Sequence, residues 1–298
     1  MSETDAWKRF LRQRVAVASA CYLVVVIIWV LAGPFWNTHG PDQLSEAQFQ
    51  PPSAQHWFGT DVHGRDLLAR VIHGARISLL VGLVGAGVSL VIGVSWGATA
   101  GYLGGRLDGA MMRFVDILYS MPSIIFVIVL ITALEQLVRH GLAWIIPASG
   151  GGLARLLLLF AGLGAVSWLT MARIVRGQVL SLRSRGFVEA SRAMGAGHAH
   201  IILEHILPQI TGIVIVYLTL TVPSVILSES FLSYLGLGIQ PPQASLGSLI
   251  ADGAGQINPI RIYWWLLVFP GGFLVSTLLA LNFFGDGLRD ALDPKSGV

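Results

Sequence analysis

The chain has 298 residues, 54% of them hydrophobic and only 12% charged, with a net charge of +3. Soluble domains carry roughly 25% charged residues, so the composition excludes a soluble globular fold and defines an integral membrane protein. The small positive balance follows from how Lys and Arg are distributed about the membrane and calls for no nucleic-acid partner.

Charge-free runs mark the spans. Residues 15–35 form the first run, and it lacks a small-residue cleavage pattern, so it reads as a retained anchor and not a signal peptide. Further runs cover 77–105, 117–134, 156–172, 206–228 and 262–285. A spanning helix needs about 20 apolar residues, range about 17–25, so the fold expected is an all-α membrane protein of six transmembrane helices. The fourth run is the weakest, being short and holding Gly162, Gly164 and Ser167. A transmembrane barrel would need ~10-residue alternating segments, and Leu23-Val24-Val25-Val26-Ile27-Ile28 does not alternate.

Before the second run, Leu67, Leu68, Val71 and Ile72 fall at helical spacing. They predict an amphipathic helix on the outer surface, with Asp66 paired to an Arg, or else a contact with an external partner. The second run carries Gly85, Ser89, Gly93, Gly97 and Gly101 at steps of four. Such a small-residue face lets helix backbones approach closely, either within this subunit or at a moving interface with another. Trp29, Trp36, Trp144 and the run Tyr263-Trp264-Trp265 are expected at the outer membrane interface, with Tyr102 and Tyr119 at the inner one.

Between the fourth and fifth runs lies a polar segment flanked by Arg173, Arg176, Arg183 and Arg185. Phe187, Ala190 and Met194 share one face of a short helix, with Arg185, Glu189 and Arg192 on the other. Gly195 and Gly197 permit a turn, residues 200–207 can form a second short helix, and Pro208 can open the next span. A small amphipathic helix held below the membrane is a docking element for a soluble partner. Glu229 closes the fifth run within Ser228-Glu229-Ser230. An ionisable group at membrane depth is a functional candidate, here for the pathway or its outer gate; the other reading is a helix end solvated at the outer interface.

With the N-terminus inside, 13 of the 19 Lys and Arg residues fall in inner segments and 6 in outer ones, which places both termini in the cytoplasm. The one cysteine, Cys21, lies in the first span and has no internal disulfide partner. Eight histidines sit outside the span interiors, and no pair stands at zinc spacing beside a Cys or carboxylate, so structural or solvated roles are expected and no metal site. Only two lysines exist, Lys8 and Lys295, and neither follows a phosphate-binding loop pattern. Any ATP must therefore be bound by another chain. No nucleophile–base pair lies within the spans, which argues against an intramembrane enzyme. A stand-alone carrier would need carboxylates in several spans, and Glu229 is nearly alone.

The pattern Glu189-Ala190-Ser191, three residues, Gly195, and then Leu207-Pro208 resembles the EAA loop of importer-type ABC permeases. Ser191 replaces an Ala of that pattern, and His205 occupies an Ile position. Further likeness lies in Gly59-Thr60-Asp61 with Gly64-Arg65-Asp66, in Ala172-Arg173-Ile174-Val175-Arg176-Gly177-Gln178, in Phe231-Leu232-Ser233-Tyr234-Leu235-Gly236-Leu237-Gly238, and in the ending from Gly285-Asp286-Gly287 to Asp293-Pro294-Lys295. Most of residues 57–295 resembles the C-type permease subunit of oligopeptide and dipeptide ABC importers; the first 56 residues match only in general layout. The resemblance implies a type I importer in a bacterial inner membrane, with a five-helix core plus an N-terminal helix. Residues 1–76 would hold the tail, first span and outer loop, and 77–298 the permease core with its hairpin at 183–208. It implies a homologous B-type permease, two cytoplasmic ATPases carrying ATP and Mg, and an external peptide-binding protein. Phe187, Glu189, Ala190, Ser191, Met194, Gly195, Leu207 and Pro208 would couple to an ATPase. Related importers carry nickel chelates or antimicrobial peptides, which are the alternative cargoes.

Overall fold

The computed structural model describes residues 3–36, 39–141, 151–241, 243–258 and 260–292, with side chains described except at 3–6, 34, 36, 134–141 and 151–161. Trp144, Pro242 and the 293–295 ending lie outside the described residues, as do the side chains of Trp36 and His140. Helices occupy every predicted run. They are α1 (Glu3–Arg12), α2 (Arg14–Trp36), α3 (Leu67–Leu103), α4 (Gly105–Ser120), α5 (Ser123–Gly141), α6 (Gly151–Leu182), α7 (Gly186–Ala193) and α8 (His198–His200). A π-helical segment, Ile201–Ile206, then leads into α9 (Leu207–Tyr234), followed by α10 (Leu246–Gly255) and α11 (Trp265–Leu292).

Among the described residues four helical stretches are long and apolar enough to cross a membrane: Arg14–Gly33, Leu67–Leu103, His198–Tyr234 and Trp265–Leu292. The third predicted run is not one straight helix. Pro122 disfavours the helical region at Met121, which is extended at φ −83°, ψ 140°. Gly105–Ser120 and Ser123–Ala133 therefore meet at 94°, the geometry of a broken span or a re-entrant loop. The fourth run lies within the 32 residues of α6.

Helix α3 is the centre of the bundle and packs most extensively on α6, then on α9. The small-residue face explains why. A Cβ at Gly93 would sit 2.6 Å from Met171 Cβ, and one at Gly97 2.4 Å from the Ala172 carbonyl oxygen. At Gly101 it would meet the Arg176 carbonyl oxygen at 2.9 Å, and at Gly85 it would meet Val225 of α9 at 2.7 Å. The face serves packing within this chain.

The amphipathic surface helix expected around residue 67 is instead the first turns of α3. Leu67, Val71 and Ile72 are buried, and Leu67 and Val71 share a core with Val26, Ile226, Leu246 and Trp265. Asp66 caps this helix by accepting the Ala69 N–H at 2.8 Å. Its side-chain partner is His56 and not an Arg, because the arginines go to Asp61. That carboxylate accepts Arg65 Nε and Arg70 Nη1, both at 2.7 Å, and the backbone N–H groups of His63 and Arg65. Burial of the Asp61 carboxyl favours its neutral form, but the Arg65 and His63 bonds and the Arg65 charge outweigh it and hold the group below its ordinary value. Trp265, expected at a membrane interface, is buried and donates its indole N–H to the Thr60 carbonyl at 3.3 Å. Tyr102 is buried as well, at the opposite end of α3.

Candidate functional site

The predicted hairpin forms and is held from inside. Helix α7 stops in a Schellman turn: Ala196 N–H bonds the Ser191 carbonyl at 3.1 Å and Gly195 N–H bonds the Arg192 carbonyl at 2.9 Å. Gly195 takes φ +84°, a conformation that suits glycine; Gly197, at φ −70°, makes no such demand. Val188 and Ser191 are buried, so Ser in place of Ala at 191 meets a need for a small residue. Phe187, Glu189, Ala190 and Met194 point outward, with Phe187 42% and Met194 81% exposed. The apolar face read from the sequence is thus the free face of the helix.

The second half of the hairpin is no separate helix. Pro208 lacks an N–H and crowds the carbonyl four residues back. The chain widens just before it, and Leu207 N–H reaches the Ile202 carbonyl in an i→i−5 bond. Ile201 and Ile206 are both fully buried. In an α-helix, residues five apart would diverge by about 140°; the wider turn brings them to one side. His205, the irregular position in the sequence pattern, lies within this segment, its ring 5.5 Å from that of His200.

Two arginines expected to flank the hairpin are engaged elsewhere. Arg176 forms a bidentate pair with Asp108, and Arg173 bonds Asp116 at 2.7 Å and lies over the Tyr119 ring. These pairs brace α4 against α6. Arg192 anchors the hairpin to α3: its guanidinium carbon lies 4.9 Å from the Tyr102 ring centroid, and its Nε donates to the Tyr102 hydroxyl at 3.3 Å. His198 Nδ1 lies 3.2 Å from the same hydroxyl. Tyr102 carries no sequence signal for this role, since an aromatic residue near a span end reads first as an interface anchor.

The α4–α5 elbow, α6 and α9 enclose an open cavity of about 300 Å³ lined by Tyr119, Ser123, Ser167, Thr170, Ser224 and Ser228. Leu118, Met121, Ile124, Phe126, Val127 and Leu163 line it as well, so the wall is mainly apolar with a few hydroxyls and no charge; Ser167 and Ser228 donate to carbonyls of their own helices.

Glu229 lies in the interior, not at a solvated helix end; it is fully buried. Its carboxylate accepts Ser233 Oγ at 2.6 Å, Ser78 Oγ at 3.1 Å and Ser230 Oγ at 3.4 Å. Two of these hydroxyls are shared: Ser78 accepts the Leu246 N–H and Ser233 the Ile239 N–H. The carboxylate therefore joins α3, α9 and the N-terminus of α10, where the helix dipole favours a negative group. Ser78 carries no sequence signal for this role, because a single hydroxyl in an apolar run forms no pattern.

The histidines are not all isolated. His39, His56 and Asp66 bring one potential ligand atom each to within 4.8 Å of one another, a grouping invisible in their spacing.

A bundle of apolar helices with a sharply bent helix pair, an uncharged groove and an amphipathic hairpin at one end has the form of a membrane permease. Residues 93–298 match the family described as binding-protein-dependent transport system inner membrane component, and the chain belongs to that family. Residues 4–52, where only general layout was expected to agree, match the N-terminal TM domain of oligopeptide transport permease C. The chain is 46% identical to the oligopeptide transport system permease protein OppC of Haemophilus influenzae over 98% of its own length and 88% of that protein's. It is 44% identical to the dipeptide transport system permease protein DppC of Bacillus subtilis, over 98% of this chain and 85% of that one. The inward-facing MetNI methionine ABC transporter shares the fold, with a TM-score of 0.56 at 22% identity over 76% of this chain and 98% of the other. The family is one of transport permeases.

Proposed function

We propose that this chain is the C-type permease subunit of an ATP-driven peptide importer in a bacterial inner membrane. The observation that carries the reading is the identity of 46% to an oligopeptide permease, sustained over 98% of the chain. The dipeptide permease likeness at 44% keeps the cargo a peptide. The chain forms half of the pathway, its groove closed by a homologous B-type permease. An external binding protein delivers the peptide, and ATP with Mg is held by two cytoplasmic ATPases, one docked on the exposed face of α7. The hairpin end is cytoplasmic, with both termini; the Asp61 end faces outward. ATP binds one global state of the assembly more tightly and so shifts the population toward it.

The test is uptake of labelled tri- and tetrapeptides into proteoliposomes. Uptake is expected only with both permeases, the ATPases, the binding protein and ATP together. Uptake by this chain alone would establish a stand-alone carrier instead.

A further inference from the structure

We propose that His39, His56 and Asp66 form a binding site for a divalent late first-row transition ion, zinc foremost. His39 follows the exit of α2, His56 lies in the long loop before α3, and Asp66 is the N-cap of α3. Seventeen and ten residues of sequence separate them, and only the fold makes them neighbours. The ring centroids of His39 and His56 are 4.9 Å apart, and all three ligand atoms fall within 4.8 Å of one another. Tetrahedral zinc, with bonds of about 2.0–2.1 Å, sets its ligands roughly 3.3 Å apart. Binding would draw the more distant ligand atoms together by up to about 1.5 Å.

The donor set selects the ion. Two imidazoles and a carboxylate suit zinc and its neighbours, whereas magnesium and calcium want oxygen alone. Asp66 is already oriented, because Oδ1 is fixed by the Ala69 N–H at 2.8 Å while Oδ2 faces His56 Nδ1 at 2.8 Å. Such outer bonds hold a ligand in place for a metal. The ion would displace any proton held between His56 and Asp66. His39 also lines a cavity of about 260 Å³, together with Pro41, His73 and Arg76. The fourth ligand would be a water. Among the described residues this is the one group of three with metal-ligating geometry. A bound ion would fasten the loop to the start of α3 and the end of α2.

The full chain, purified in detergent and stripped of metal, is titrated with Zn²⁺ against a chromophoric chelator. One ion per chain is expected, with affinity falling at least tenfold in His39→Ala and in His56→Ala. His63→Ala in the same loop, and His200→Ala in the hairpin, are expected to stay within twofold of wild type. X-ray absorption should report nitrogen and oxygen ligands at about 2.0–2.1 Å. His39→Gln, which keeps size and polarity, should lose the ion as His39→Ala does, while melting like the metal-free wild type. Binding by the His39→Ala/His56→Ala double variant at wild-type affinity, or less than one ion held by the wild type, overturns the proposal.

Discussion

The Ser78 hydroxyl stands between two chain segments, donating to the Glu229 carboxylate at 3.1 Å and accepting the Leu246 N–H at 3.2 Å. One hydroxyl thus ties α3 to α9 and to the first turn of α10. Ser78→Ala leaves a buried N–H unpaired and removes a donor from a buried carboxylate. The expected cost is roughly 1–3 kcal/mol, read as a lower melting temperature in detergent. Glu229→Gln replaces an acceptor of several hydroxyls by a group with its own donor, and peptide uptake is expected to fall severalfold with the chain still inserted. Normal uptake for every peptide tested would reduce Glu229 to a packing role.

The small-residue face of α3 gives a sharp contrast within one helix. A Cβ at Gly97 would meet a carbonyl oxygen at 2.4 Å, whereas one at Gly87 would meet nothing within 4 Å. Gly97→Ala is expected to destabilise by about 1–3 kcal/mol or to block insertion. Gly87→Ala should be neutral or stabilise by up to about 1 kcal/mol. Thermal unfolding of the two purified variants decides the matter.

Helix α7 presents one face to the chain and the other outward, and the two should respond differently. Phe187→Ala and Met194→Ala are expected to change stability by less than about 0.5 kcal/mol yet weaken retention of the ATPases on co-purification. Val188→Ala, at a fully buried position, should cost roughly 1–3 kcal/mol. Equal loss of ATPase from all three variants without any change in melting would contradict this division.

Asp61 sets an acid limit on the loop it organises. Its carboxyl is held below the ordinary 3.8, so the unfolded chain binds more protons than the folded one in the window between. The stabilisation is complete above the unfolded value and is lost as pH falls through the lower folded one. Asp61→Asn should remove this acid-dependent part. At neutral pH it should cost roughly 1–3 kcal/mol, since the buried Arg70 would keep only its longer pair with the exposed Asp252, at 3.4 Å. The gap between the melting temperatures of wild type and variant should stay constant from pH 7 to about pH 5 and narrow only as the pH falls through the ordinary 3.8 and below.

Much of the architecture is legible in the chain because membrane spans are written as charge-free runs, and each such run is helical, the third divided between α4 and α5 at Met121 and Pro122. The hairpin is legible for a similar local reason: Gly195 stops α7, and Pro208 lies in the first turn of α9. What escaped depends on tertiary neighbours. Leu67 to Ile72 have the spacing of a surface helix, and only the core formed with Val26, Ile226 and Trp265 shows that they begin α3. Arg173 and Arg176 look like free charges beside the hairpin until Asp108 and Asp116 are brought opposite them. Ser230 and Ser233 neighbour Glu229 on α9, but Ser78 reaches it from α3, and the His39–His56–Asp66 group is likewise assembled from separated segments that no local spacing joins.

The central claim is that work reaches this chain through the hairpin, and binding-protein-stimulated ATP hydrolysis by the purified complex tests it most directly. Gly195→Leu forces a bulky side chain into φ +84°, and Glu189→Lys reverses a charge on the outward face of α7. Both variants are expected to lose stimulation at least tenfold while basal hydrolysis by the ATPases persists. Full stimulation in both variants would contradict coupling through this hairpin.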